Sequence, residues 1–205
     1  MFSIDFDDQP YKCKTKDYFW FNEIRQAVQA IEQEGLNLEE IAELSKNSNF
    51  FNAASKARAK ETASGVLRRL KVADETFFSF FMKQLVQEQK ILNMILIMLE
   101  NRSMYEFMNE VFKEKLISGD LYISDAEIIG FIHDIQAKDT KAANWGDASV
   151  KKFRTCIKGY MNDSGLTVPD GKGVRIIRPI FGQPMEAFLK REGLTEVYKI
   201  LAGER

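Results

Sequence analysis

The sequence is poor in the residues that most often build catalytic and metal sites. It has one histidine, His133, and two cysteines, Cys13 and Cys156, in 205 residues. The cysteines are far apart and form no CxxC pair, so neither a zinc site nor a disulfide framework is indicated, and a reducing cytoplasm fits. No Ser-His-Asp, Cys-His or metal-ligand set can be assembled, so we predict a structural histidine, no cofactor, no metal and no enzyme. Chemistry by carboxylates alone is the remaining enzymatic alternative.

A long hydrophobic run is also lacking. The most apolar stretch is residues 74–102, and it ends in the nine residues 91–99, which Asn93 interrupts. A membrane span needs about 20 consecutive apolar residues, and Lys83, Glu88 and Lys90 lie just upstream. We therefore predict one long core helix over residues 74–102, around which the chain packs, in a cytoplasmic protein without a membrane segment.

Net charge is only −1, but the charges are unevenly distributed. Residues 1–50 are acid-rich, and the pattern predicts helices over residues 17–34 and 38–46. A third helix, up to residue 71, is basic through Lys56, Arg58, Lys60, Arg68, Arg69 and Lys71. This order is typical of a helix-turn-helix, whose last helix lies in the major groove of DNA. The alternative is an ordinary solvated helix face.

A second basic cluster follows near the C-terminus. A helix over residues 147–163, capped by Asp147, precedes residues 166–179, which read as two strands joined by a glycine-rich turn. A basic helix followed by a basic hairpin is the layout of a winged helix-turn-helix. The cations of this cluster are Lys151, Lys152, Arg154, Lys158, Lys172, Arg175 and Arg178.

The remaining pattern predicts further helices. Residues 104–115 are amphipathic, Ser124 and Glu127 form a capping box for a helix to about residue 137, and residues 183–193 and 194–202 form two short helices. Residues 1–16 are an irregular arm. The predicted fold is mainly α, with two helix-turn-helix-like modules, the second winged by a short β-hairpin, around a central apolar helix. The predicted divisions are residues 1–73, 74–120 and 121–205, sharing one core.

Several segments resemble the BrxA family of BREX phage-defence systems over about residues 17–202. They are residues 38–41 (LEEI), 107–112 (FMNEVF), 121–128 (LYISDAEI) and 178–180 (RPI), and Trp145 with Ser149 and Lys152. The resemblance implies an all-helical protein that binds double-stranded DNA and acts beside other BREX proteins. In part the chain also resembles the NusB antitermination fold, which leaves RNA open as a ligand.

The leading hypothesis is a non-catalytic, duplex DNA-binding component of a BREX system. Its candidate DNA contacts are the two basic clusters, without Lys71. Two alternatives stay open: an assembly subunit that docks other BREX proteins, and an RNA-binding protein similar to NusB.

Overall fold

A computed structural model describes residue 6 and residues 9–205 of the chain. Part of the predicted arm, residues 1–5, 7 and 8, lies outside the described residues. The chain forms two compact units. The N-terminal unit is Phe19–Leu96, and the C-terminal unit combines the segment up to Tyr18 with Ile97–Arg205. The division into modules of residues 1–73, 74–120 and 121–205 stays a prediction.

The helices of the N-terminal unit begin and end at local signals. Gly35 closes the first helix in the left-handed conformation, Asn37 and Glu40 form a capping box for the second, and Ser55 and Asp74 cap the next two. The helices are α1 Phe21–Glu34, α2 Leu38–Ser48, α3 Lys56–Leu70, α4 Glu75–Lys83 and α5 Val86–Glu100, whose last turn belongs to the C-terminal unit.

Helix α1 starts later than the sequence predicts. Trp20 has a left-handed backbone, with φ of 46°, and this conformation cannot continue a right-handed helix. Helix α1 therefore begins at Phe21 rather than at Asp17.

The prediction of a single helix over residues 74–102 is wrong, because the stretch contains two helices. Gln84 has an extended backbone, with ψ of 158°, and ends α4. Polar side chains satisfy the backbone at the break: Glu88 accepts from the amide of Leu85 at 3.2 Å, and the Gln89 amide donates to the carbonyl of Gln84 at 3.1 Å.

Helix α5 is nevertheless the buried apolar centre that the sequence predicts. Every residue from 91 to 100 is buried, and Ile95, Leu96 and Met98 are fully so. Asn93 is also buried, and its side-chain amide donates to the carbonyl of Phe19 at 2.7 Å. Among the residues that the structure describes, no helix has the length and apolar character needed to cross a membrane.

The C-terminal unit is helical with one small sheet. The amphipathic segment predicted at residues 104–115 contains a π-helical turn at its centre, Met108–Phe112, a feature that the sequence analysis did not predict. The two C-terminal helices are confirmed. The helices are α6 Arg102–Phe107, α7 Lys113–Ser118, α8 Asp125–Lys138, α9 Asp147–Asp163, α10 Gln183–Arg191 and α11 Thr195–Ala202, with a 3-10 turn at Ala142–Asn144.

Three antiparallel strands form the sheet: β1 Tyr122–Ser124, β2 Thr167–Asp170 and β3 Gly173–Ile176, in the order β1-β3-β2. The predicted hairpin is confirmed as β2–β3. Strand β1, which the sequence analysis took for a lead-in to α8, pairs with β3 through Ile123 and Val174.

Two predicted caps have different outcomes. The capping box of Ser124 and Glu127 at the start of α8 is confirmed. Asp147, however, is the first residue of α9 rather than its cap; Gly146 holds the cap position, without a side-chain hydrogen bond.

Candidate nucleic-acid interface

Helix α9 has one buried and one exposed face. Val150, Phe153 and Ile157 point into the C-terminal unit and are buried. The residues of the opposite face recur at the spacing of the helical repeat. We call it the α9 strip, and it consists of Ala148, Lys151, Lys152 and Thr155, which are exposed, and Gly159, which is half-buried. Within the described part of the chain, neither lysine forms an ion pair. The strip therefore presents two cations among small side chains.

Arg154 and Lys158, also predicted as DNA contacts, lie beside the strip and are paired. Both bind the carboxylate of Asp125 in the first turn of α8, at 3.2 Å from Arg154 and 2.6 Å from Lys158. Their side chains keep about a quarter of their exposure. The two cations thus fix α9 against α8. Asp125 is a residue that the sequence analysis missed.

Among the predicted cations of the hairpin region, the structure places Lys172 at an exposed turn. Its carbonyl accepts from the amide of Asp125 at 2.8 Å, which holds the β2–β3 turn beside the start of α8. Arg175 pairs with Asp170 at 2.6 Å, and Arg178 donates to the carbonyl of Leu116 at 2.7 Å. The Lys172 ammonium makes no ion pair with any described residue.

In the N-terminal unit, the exposed cations of α3 are Lys56, Arg58 and Lys60. Arg58 binds Glu61 one turn later at 3.3 Å, whereas the two lysines form no ion pair in the described ranges. Arg68 is half-buried.

Arg69 needs a correction, since its side chain is 1% exposed and cannot lie on a DNA-binding surface. Its Nη1 donates to the carbonyl of Phe19 at 2.7 Å, and its guanidinium lies 4.9 Å from the centre of the Trp20 ring. A sequence signal existed, because Arg69 continues the helical stripe of Gly65 and Val66, which are buried in α3.

Two thiols, Cys156 on α9 and Cys13 beside it, have raised pKa values. Burial raises the pKa of the Cys13 thiol to about 11, and the nearby Cys156 adds to the shift. Burial also raises the pKa of Cys156, against the opposing effect of Lys152. Both thiols are therefore neutral and poorly nucleophilic near neutral pH.

No metal-binding cluster is found among the described residues. His133 is exposed on α8. That the protein is not an enzyme stays a prediction.

Comparison with known proteins identifies the family. The model of the BrxA family matches residues 9–193. The chain belongs to the BrxA family. A BREX protein BrxA from Bacillus cereus (strain H3081.97) is 30% identical over 199 residues, which cover 96% of this chain and 98% of that protein.

A solved structure shares the fold of this BrxA family member. The crystal structure of an uncharacterized protein from Magnetospirillum magneticum matches with a TM-score of 0.75 at 14% identity. The match covers 95% of this chain and 98% of that one.

Proposed function

We propose that this BrxA family member is a non-catalytic component of a BREX phage-defence system and binds double-stranded DNA through α9 and the β2–β3 turn. The observation that carries the proposal is the α9 strip, where Lys151 and Lys152 are exposed opposite the buried face. Lysine ammonium groups that form no ion pair with the described residues can bind the phosphate oxygens of the DNA backbone.

The order of elements supports this use of α9. In the C-terminal unit, α7, β1, α8, α9, β2 and β3 follow one another, and β3 lies between β1 and β2. We interpret this order as a winged helix-turn-helix in which α9 is the helix that enters the major groove. The connection from α8 to α9, residues 139–146, is longer than the usual turn of three or four residues.

The small side chains of the strip favour close approach to DNA. A Cβ atom added at Gly159 would meet nothing within 4 Å, so the helix surface is open there. Ala148 and Thr155 add little bulk. Lysines on such a face reach phosphates or the acceptor edge of guanine.

A second candidate function is the docking of another BREX protein. Val168, Ile177 and Ile180 are large apolar side chains that are 44%, 46% and 93% exposed. Val168 lies on β2 and Ile177 directly follows β3, the strand that pairs with β2. Contiguous exposed apolar patches are a feature of protein-binding surfaces. This hypothesis predicts no steep dependence of DNA binding on salt.

A salt titration with variants tests the proposal. Binding of a short labelled duplex is measured by fluorescence anisotropy between about 50 and 200 mM salt. We expect the double variant K151A/K152A to lower affinity and to reduce the slope of log K against log salt by about 2, since each lost phosphate contact removes about 1.

The matched control is K190A/K199A, which removes the same charge from α10 and α11. Each of those lysines pairs with a glutamate on its own helix. An unchanged slope for K151A/K152A, or a flat titration of the unmodified protein, would overturn the proposal. Single-stranded DNA and duplex RNA are titrated in parallel, and a preference for RNA would favour the NusB-like alternative.

A further inference from the structure

Residues 9–18, which we call the N-terminal arm, contact α9 at Cys13 and Asp17 in the C-terminal unit. The Cys13 thiol donates to the carbonyl of Ser149 in the first turn of α9, at 3.6 Å. Near the other end of the helix, the Tyr160 hydroxyl donates to the carbonyl of Asp17 at 3.0 Å. A helix rises about 1.5 Å per residue and an extended chain about 3.3 Å. Along the helix, Ser149 and Tyr160 are therefore about 16 Å apart, and along the arm Cys13 and Asp17 are about 13 Å apart. Because the two lengths are similar, the arm runs beside the helix between these contacts.

The arm is also fixed to α6. The Ser103 hydroxyl bonds to both the amide and the carbonyl of Lys12, at 3.3 and 3.4 Å. The Arg102 guanidinium donates to the carbonyl of Gln9 at 3.1 Å and lies 4.3 Å from the centre of the Tyr11 ring. Because these contacts involve backbone groups of the arm, they fix the path of its main chain.

The arm borders the α9 strip on one side. Ser149, Cys156 and Tyr160 recur at helical spacing and form the side of α9 that meets the arm. Arg154 and Lys158, which bind Asp125, lie on the other side. The strip therefore lies between the arm and the region of the β2–β3 turn.

Lys16 is an exposed cation of the arm and precedes Asp17, whose carbonyl accepts from Tyr160 of α9. It is exposed and forms no ion pair within the described ranges. Lys14, in contrast, is largely buried and binds Glu100 and Asp17. The Lys12 ammonium lies 3.9 Å from Glu100.

We propose that the N-terminal arm is a second flank of the DNA site, on which the Lys16 ammonium contacts a backbone phosphate beside the groove that receives α9. The proposal rests on the proposed function and extends it. With the β2–β3 turn on one side and the arm on the other, the protein holds the backbone on both edges of the groove. Such contacts fix the register of the helix without reading sequence.

The test uses the full chain and the duplex titration described above. Lys16→Ala should reduce the salt slope by about 1, Lys16→Arg should keep it, and Lys190→Ala, a matched removal of one charge, should leave it unchanged. Because Lys16 is exposed and makes no ion pair with the described residues, the Lys16→Ala variant should have the melting temperature of the unmodified protein.

A second measurement does not depend on variants. Chemical acetylation of surface lysines, read by mass spectrometry with and without duplex, should show Lys16 protected by DNA together with Lys151 and Lys152, and Lys190 unprotected. If K151A/K152A lowers the slope while Lys16→Ala does not, and Lys16 stays reactive, the arm proposal is overturned and the proposed function stands. If the protein shows no salt-dependent duplex binding, both are overturned.

Discussion

Arg69 lies in α3 with its guanidinium against the Trp20 ring and its Nη1 on the carbonyl of Phe19. The same carbonyl accepts from Asn93 of α5. Two donors from two helices thus hold the backbone just where Trp20 adopts its left-handed conformation. Gly65 completes the site, because a Cβ there would lie 1.8 Å from the Trp20 ring. At this position a basic residue stabilises the interior of the N-terminal unit.

We predict that Arg69→Ala destabilises the protein by about 2 to 4 kcal/mol, because it removes a buried hydrogen bond and leaves a cavity. Arg58→Ala on the same helix is the control. It removes an exposed pair with Glu61, which contributes at most about 1 kcal/mol. Urea unfolding measures both. Equal stability of the two variants, with a reduced salt slope for Arg69→Ala alone, would place Arg69 in the DNA contact instead.

At the scale of elements, periodicity predicted the helices well and their interruptions poorly. The break between α4 and α5 carries no glycine or proline, and the residue just before α5, Leu85, is not a usual helix cap. Glu88 and Gln89 stabilise the break through hydrogen bonds to its backbone. Because such polar residues also occur inside helices, they did not indicate the break. Strand β1 was missed for another reason: it is three residues long, and its partner β3 is distant in the sequence.

The candidate site was likewise predictable only in part. The exposed face of α9 with Lys151 and Lys152 follows from helical spacing. The pairing of Arg154 and Lys158 with Asp125 does not, because it depends on how α8 and α9 pack. The position of Lys16 depends likewise on the path of the arm.

The burial of α5 leads to a prediction about this element. Leu96 is fully buried, so Leu96→Asp places an unpaired carboxylate in the core, and we expect unfolding or aggregation. The matched control is Leu85→Asp at the break before α5, where the side chain is 77% exposed; this variant should stay folded. Thermal melting and size-exclusion chromatography compare the two. A monomeric Leu96→Asp variant with unchanged melting temperature would contradict the role of α5 as core.

At the scale of the whole molecule, the net charge of −1 conceals a basic cluster in each unit. The exposed lysines that the proposals invoke are Lys56 and Lys60 on α3 in the N-terminal unit, and Lys151, Lys152, Lys172 and Lys16 in the C-terminal unit. If the protein neutralises about six phosphates in all, affinity should fall roughly a thousandfold between 50 and 200 mM salt. The six lysines together match that number, and neither unit alone supplies six.

We therefore predict that both clusters contribute to duplex binding. The variants K56A/K60A and K151A/K152A should each reduce the salt slope by about 2, and the quadruple variant should show the sum, since independent sites act additively. Melting temperatures are measured beside each titration, because lysine stems also cover apolar surface. If K56A/K60A leaves the slope unchanged while K151A/K152A lowers it, the C-terminal unit alone binds DNA. The lysines of α3 would then be a solvated helix face or a docking surface for another BREX protein. Weaker binding of that protein to K56A/K60A would identify a docking surface, and unchanged binding a solvated face.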